Sequence, residues 1–241
     1  MRLQTTMNGE TPLRLRPGTT SRLPSSLSLP AEAATIDVTE SLGYAVNKRA
    51  FDLIVGSFIV LLSLPVIPLV ALMIRFDSKG PVFYRQDRVG RGGRTFKFYK
   101  FRSMRADSDR LRADLEANNE LAGPAFKMKN DPRVTAVGQF LRRSSLDELP
   151  QIFNVLKGDM SVVGPRPALP GEVAKYEAWH RRRLEVKPGI TCLWQVAGRS
   201  HVSFDEWMRL DLEYMSRRGL RTDIAIFLKT IPAVIARRGA Y

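Results

Sequence analysis

The sequence predicts an α+β chain, mostly helical, with an N-terminal re-entrant membrane helix, one small β-hairpin and surface amphipathic helices. Three observations carry that class. Residues 53–74, LIVGSFIVLLSLPVIPLVALMI, hold no charge, yet Pro65 and Pro68 interrupt them. Residues 80–104 alternate with a period of two around a glycine cluster. Residues 204–215, FDEWMRLDLEYM, place Trp207, Leu210 and Tyr214 on one helical face.

The first 45 residues, 1–45, read as a disordered N-terminal tail: Thr, Ser, Pro and Gly are frequent and no periodicity persists. Four arginines there balance four acids, so the net charge of +14 belongs to residues 46–241. The tail lacks the apolar core of a secretory signal. Residues 46–241 read as one membrane-anchored domain, with 46–76 as its membrane element. A surplus of positive charge points to an anionic partner: nucleic acid, phospholipid or a phosphorylated substrate. The lone Cys192 permits no internal disulfide and sits in an apolar context, ITCLWQV. Two histidines, His180 and His201, argue against a zinc site.

The apolar run has 22 residues between Asp52 and Arg75, enough for a bilayer span, which needs roughly 20. A buried core helix is the plainer alternative. Each proline removes a backbone donor and crowds the preceding turn. Both flanks are basic: Lys48 and Arg49 precede the run, and ten Lys and Arg fall within 75–105 against Asp77 and Asp87. The positive-inside rule places both flanks on the cytoplasmic side. A helix that breaks and returns satisfies both facts; a span that tolerates its prolines competes with it.

In GPVFYRQDRVGRGGRTFKFYKFRSM, Phe96 and Phe98 alternate with Lys97 and Tyr99, while Gly90, Gly92 and Gly93 supply a turn. The same glycines could wrap a phosphate with their amides, although the Walker pattern is missing. Residues 107–121 read as a solvated helix, 172–186 as a helix with a basic end, and 187–200 as a loop around a short apolar run. Residues 222–236 read as a capped apolar helix, either core or membrane interface.

SSLDELPQIFNVLKGDMSVVGPRP, residues 144–167, carries the chemistry. Ser145 and Glu148 fit a capping box. Pro150 would then fall at the fifth helical position, costing about 3 kcal/mol. A helix that starts near Asp147, or is kinked just after it, avoids that cost. Asp147 and Glu148 then lie at a helix start, where the dipole favours both a carboxylate and a bound phosphate. Arg142, Arg143 and the proline-framed Arg166 supply countercharge, since guanidinium forks match phosphate oxygens. Mg²⁺ between carboxylate and phosphate would complete it. Aspartate is also a nucleophile toward phosphorus. The residues thus describe a basic, membrane-embedded phosphoryl-transfer enzyme. A non-catalytic membrane-surface or nucleic-acid-binding module fits the charge and FKFYKFR, but explains neither the apolar run nor the Asp147, Glu148 and Arg166 set. No nucleic-acid partner is therefore expected.

The chain resembles the bacterial sugar transferases, or monotopic phosphoglycosyl transferases. The likeness runs through KRAFDLIV, GPVFYRQDRVG, FKFYKFRSM, DPRVTAVGQFLRRSSLDELPQIFNVLKGDMSVVGPRPALP, KPGITCLWQVAGRS and KTIPAVIARRGAY. It implies transfer of a hexose 1-phosphate from a nucleotide diphosphate sugar to a polyprenyl phosphate such as undecaprenyl phosphate, releasing the nucleoside monophosphate. UDP-glucose or UDP-galactose is the expected donor, and exopolysaccharide or O-antigen synthesis the setting. The resemblance assigns catalysis and Mg²⁺ to Asp147 and Glu148, with Asp147 forming a covalent phosphosugar. It assigns substrate phosphate to Arg142 and Arg166, and the break of the membrane helix to Pro65. Leu64 stands where the family has serine, with Ser63 beside it. A monotopic enzyme on the cytoplasmic face of the bacterial inner membrane is implied. Larger members add a four-helix membrane region upstream, for which 241 residues leave no room.

Overall fold

A computed structural model describes residues 36, 38–115, 119–120, 123–126, 128, 130–197 and 203–236. Most of the expected tail, 1–35 and 37, and His201 lie outside the described residues. Helix α1, Leu42–Ser63, starts four residues inside the expected tail, with the Ser41 hydroxyl accepting from the Tyr44 amide. At its end the Ser63 hydroxyl donates to the Ile59 carbonyl, a back-bond that bends helices. Pro65, with no amide to give, follows, and α2, Val66–Asp77, leaves at 59°. Among the described residues no single helix is long and apolar enough to cross a membrane; this bent pair reaches the needed length and apolar composition only when its two halves are taken together. Ile54, Phe58, Leu61, Leu69, Leu72 and Phe76 are 55–86% exposed on it. A buried core helix would cover them, so that reading of the run does not hold. The opposite side packs inward: a Cβ on Gly56 would meet Leu156 at 3.0 Å.

The expected hairpin is present. Strands β1, Phe83–Val89, and β2, Thr95–Phe101, pair antiparallel from Phe83 opposite Phe101 to Val89 opposite Thr95. Gly92 and Gly93 take φ of 68° and 78° in the turn, a region open chiefly to glycine. Opposed residues share a face, so Arg88, Phe96, Phe98 and Lys100 project together.

Helix α3, Ser108–Leu115, forms the first part of the solvated helix expected over 107–121; residues 119–120 are not helical, and 116–118 and 121 lie outside the described residues. Helix α4, Ala136–Arg143, is capped by Thr135 and begins against the backbone of residue 103, where a Cβ on Gly138 would lie 1.9 Å from the Ser103 carbonyl oxygen. The chain then reverses at Ser145, in the left-handed region with φ 56°. The capping box is absent, because Ser145 makes no side-chain cap. Residues Leu146–Gln151 wind as a 3₁₀ helix, and α5, Ile152–Lys157, begins only after Pro150. The proline therefore never interrupts an α-helical ladder. Asn154 of α5 is fully buried. Its amide donates to the Lys97 carbonyl at 2.7 Å and accepts from the Tyr99 amide at 3.2 Å, closing the outer edge of β2.

Two short parallel strands were not expected: β3, Ser161–Val163, beside β4, Gly189–Thr191. Residues 187–200 are thus not all loop, because β4 and α8, Leu193–Ala197, occupy part of them. The single helix expected over 172–186 is instead α6, Pro170–Ala174, α7, Ala178–Arg181, and a 3₁₀ turn, Arg182–Glu185. Helix α9, Phe204–Ser216, buries Trp207, Leu210 and Tyr214 as its spacing predicts. Helix α10, Leu220–Ile235, buries Ile226 but exposes Leu228, Ile231 and Ile235.

Candidate active site

Asp147 is the second residue of the 3₁₀ helix and is buried. Its Oδ2 lies 3.7 Å from Nζ of Lys100, which projects from the inner face of β2. Glu148, next in chain, turns instead toward a cleft of about 280 Å³, counting its open mouth. Arg88, Phe98, Lys100, Arg166 and Gln195 line that cleft with it. The neighbouring carboxylates thus diverge: Asp147 is held inward against Lys100, and Glu148 faces the open space.

Each cation has a structural reason for its place. The Arg142 Nε donates to the Ser103 hydroxyl at 3.0 Å, which anchors the last turn of α4 to the end of β2. The Arg88 guanidinium lies 5.2 Å over the Phe98 ring and donates to the Pro167 carbonyl at 3.0 Å. Arg166 stands between Pro165 and Pro167, just beyond β3.

The buried charges act on one another. Burial pushes the Asp147 carboxyl up to about 6 and Glu148 adds to the rise, while Lys100 and Arg142 oppose it. Burial pulls the Lys100 ammonium down against the attraction of Asp147 and Glu148, and Arg166 and Arg142 pull it the same way. Arg142 is lowered by burial, with Asp147 pulling it back up. Arg88 falls to about 10, first through burial and then through repulsion from Arg166. Four cations, Arg88, Lys100, Arg142 and Arg166, therefore surround two carboxylates. Such an excess of positive charge suits a bound anion, and guanidinium forks favour phosphate oxygens.

The predicted residues Asp147, Glu148, Arg142 and Arg166 are brought together; Pro65 stands apart, at the break between α1 and α2. Among the described residues no group of three or more His, Cys, Asp and Glu could hold a metal. Glu148, which lines the cleft, is the carboxylate placed to share Mg²⁺ with a bound phosphate, since that ion takes one or two protein carboxylates and completes its shell with substrate phosphates and water. Sequence reasoning missed Lys100 and Arg88. Parity could have found them: Lys100 shares the Phe96 and Phe98 face, and a lysine on the buried face of a strand is unusual.

The profile of the family described as Bacterial sugar transferase matches residues 43–237. The chain belongs to the bacterial sugar transferase family. Asp147, Glu148, Arg142 and Arg166 all lie inside the matched stretch. The chain is 46% identical over 199 residues to the galactosyl transferase CpsE of Streptococcus agalactiae, covering 82% of this chain and 44% of that protein. It is 46% identical over 198 residues to the undecaprenyl-phosphate galactose phosphotransferase of Salmonella typhimurium, covering 80% and 41%. The exopolysaccharide production protein ExoY of Sinorhizobium fredii is 39% identical over 200 residues, covering 81% and 88%. The sugar transferase thus spans less than half the length of the first two relatives and most of the third.

Proposed function

We propose that the protein transfers a hexose 1-phosphate from UDP-galactose or UDP-glucose to undecaprenyl phosphate, releasing UMP. This is the first membrane step of exopolysaccharide or O-antigen synthesis. The carrying observation is the Asp147–Glu148 pair, with Asp147 held against Lys100 beside a cleft lined by arginines. The relatives support the substrate class, since one is named for galactose phosphotransfer to undecaprenyl phosphate.

Asp147 attacks the sugar-bearing phosphorus. The bond from that phosphorus to the bridging oxygen breaks, and UMP leaves with the oxygen. An oxygen of the polyprenyl phosphate then attacks the same phosphorus. The bond to Asp147 breaks, which frees the carboxylate and leaves a polyprenyl diphosphate sugar. Lys100 keeps the buried carboxylate ionised until it attacks. Arg166 and Arg88 hold the donor diphosphate from the cleft wall, while Arg142 offsets charge near Asp147. Glu148 faces the cleft, where it orients the acceptor phosphate. Asp147 and Glu148 would hold Mg²⁺, which supplies charge neutralisation of the diphosphate when bound. Helices α1 and α2, bent and apolar outside with basic flanks at both ends, seat the enzyme as a re-entrant element in the cytoplasmic leaflet of the bacterial inner membrane.

Incubation with UDP-galactose or UDP-glucose and no acceptor should add the mass of a hexose phosphate to the peptide containing Asp147. Asp147→Asn should abolish both that adduct and UMP release while membrane binding persists. An unmodified peptide beside full turnover would rule out the covalent route and leave Asp147 as a metal holder in direct transfer.

A further inference from the structure

The loop that presents Arg166 is tied down in an uncommon way. Prolines at 165 and 167 carry no amide protons, so the loop offers few donors of its own. It is held by its carbonyls. Pro165 accepts from the Gly189 amide at 2.9 Å, and Ala168 accepts from the Val89 amide at 2.9 Å. Between them, Pro167 accepts from Arg88 at 3.0 Å and Arg166 accepts from Nη2 of Arg183 at 2.8 Å. Four consecutive carbonyls are held, the inner two by guanidinium groups.

Arg183 is the less expected of the two. It sits in the 3₁₀ turn before β4, is 2% exposed and does not line the cleft. Its other contacts are the Asp211 carboxylate at 2.6 Å, the Tyr176 hydroxyl at 2.9 Å and the Trp207 ring at 5.1 Å. A buried ion pair contributes little that apolar residues of similar volume would not. Stability alone therefore gives a poor reason for a cation here, whereas a rigid fork anchored on three sides can fix the direction of a loop.

We infer that Arg183 is a positioning residue: anchored by Asp211 and Tyr176, it sets through the Arg166 carbonyl where the Arg166 guanidinium meets the donor diphosphate. The inference rests on the assignment of Arg166 to donor phosphate.

A double-mutant cycle tests it. Arg183→Lys keeps the charge but cannot reach all three partners at once, and should lower kcat/KM for UMP release roughly 10- to 100-fold. In an Arg166→Ala background the same change should cost less than about threefold, because the group it positions is gone. Calorimetric titration of magnesium pyrophosphate should show the same non-additivity in binding, without turnover. The thermal midpoint of Arg183→Lys should move by only a few degrees. Tyr176→Phe, which loosens the same anchor and keeps the ring, should give a smaller loss with the same dependence on Arg166 and decides the matter if Arg183→Lys does not fold. Effects that multiply in the Arg166→Ala background, or wild-type kcat/KM in both variants, would overturn the positioning role. Pyrophosphate binding without UMP release from any UDP-sugar would refute the proposed reaction instead, leaving the binding cycle to judge Arg183.

Discussion

As the proposed nucleophile, Asp147 would have to carry a charge where its surroundings disfavour one. Its carboxyl is raised to about 6, first by burial. A nucleophile acts in its ionised form, so kcat/KM should fall tenfold per pH unit below a midpoint near 6. Lys100 heads the opposing influences. Removing a cation makes the carboxylate less favourable and raises its pKa further. Lys100→Met should therefore move the acid limb to higher pH, with the largest loss below neutrality. The pH profile of UMP release measures both, and a limb near 4 in the wild type would mean a solvated carboxylate. At this scale the sequence pointed to Asp147, Glu148, Arg142 and Arg166 as candidates, because a proline beside the carboxylates and prolines around an arginine leave local marks. Lys100 and Arg88 left weaker ones, since their meaning comes from β-pairing and from elements distant in sequence.

Element by element, legibility followed length. The hairpin was readable because two seven-residue strands give a period and the glycines give a turn. Strands β3 and β4 have three residues each, too few for any period. The helix expected over 172–186 fails for a related reason. Short turns reset the winding, and Glu172 and Glu177 open new helices as part of the N-terminal capping of α6 and α7. Between β3 and β4 the backbones approach so closely that a Cβ on Gly189 would lie 2.1 Å from the Gly164 amide nitrogen. Gly189→Ala should therefore spread the pair and lower stability by about 1–3 kcal/mol, with a visible drop in urea midpoint. An unchanged midpoint would show that the two strands can separate at no cost.

At the scale of the whole molecule, exposed apolar side chains gather on α1 and α2 among the described residues. The bend at Pro65 turns a run long enough to span into two helices at 59°, and the flanks of both are basic. In sealed inverted vesicles a cysteine at exposed Val46 and one at exposed Lys79 should both react with an impermeant maleimide, with buried Cys192 giving little background. Opposite-side reactivity would establish a span. Composition, prolines and basic flanks marked the apolar run in the sequence, but the angle between its halves belongs to Ser63, Pro65 and the packing of Gly56 on α5.

The carbonyl-tethered loop has a consequence for hydrogen exchange. Pro165 and Pro167 carry no exchangeable proton, so those two positions are silent however they move. The order of that loop is instead recorded elsewhere, at the amides of Val89 and Gly189 that donate into it. Slowed exchange at those two sites on diphosphate binding, in a hairpin strand and a parallel strand far apart in sequence, would be the signature of one shared loop closing down.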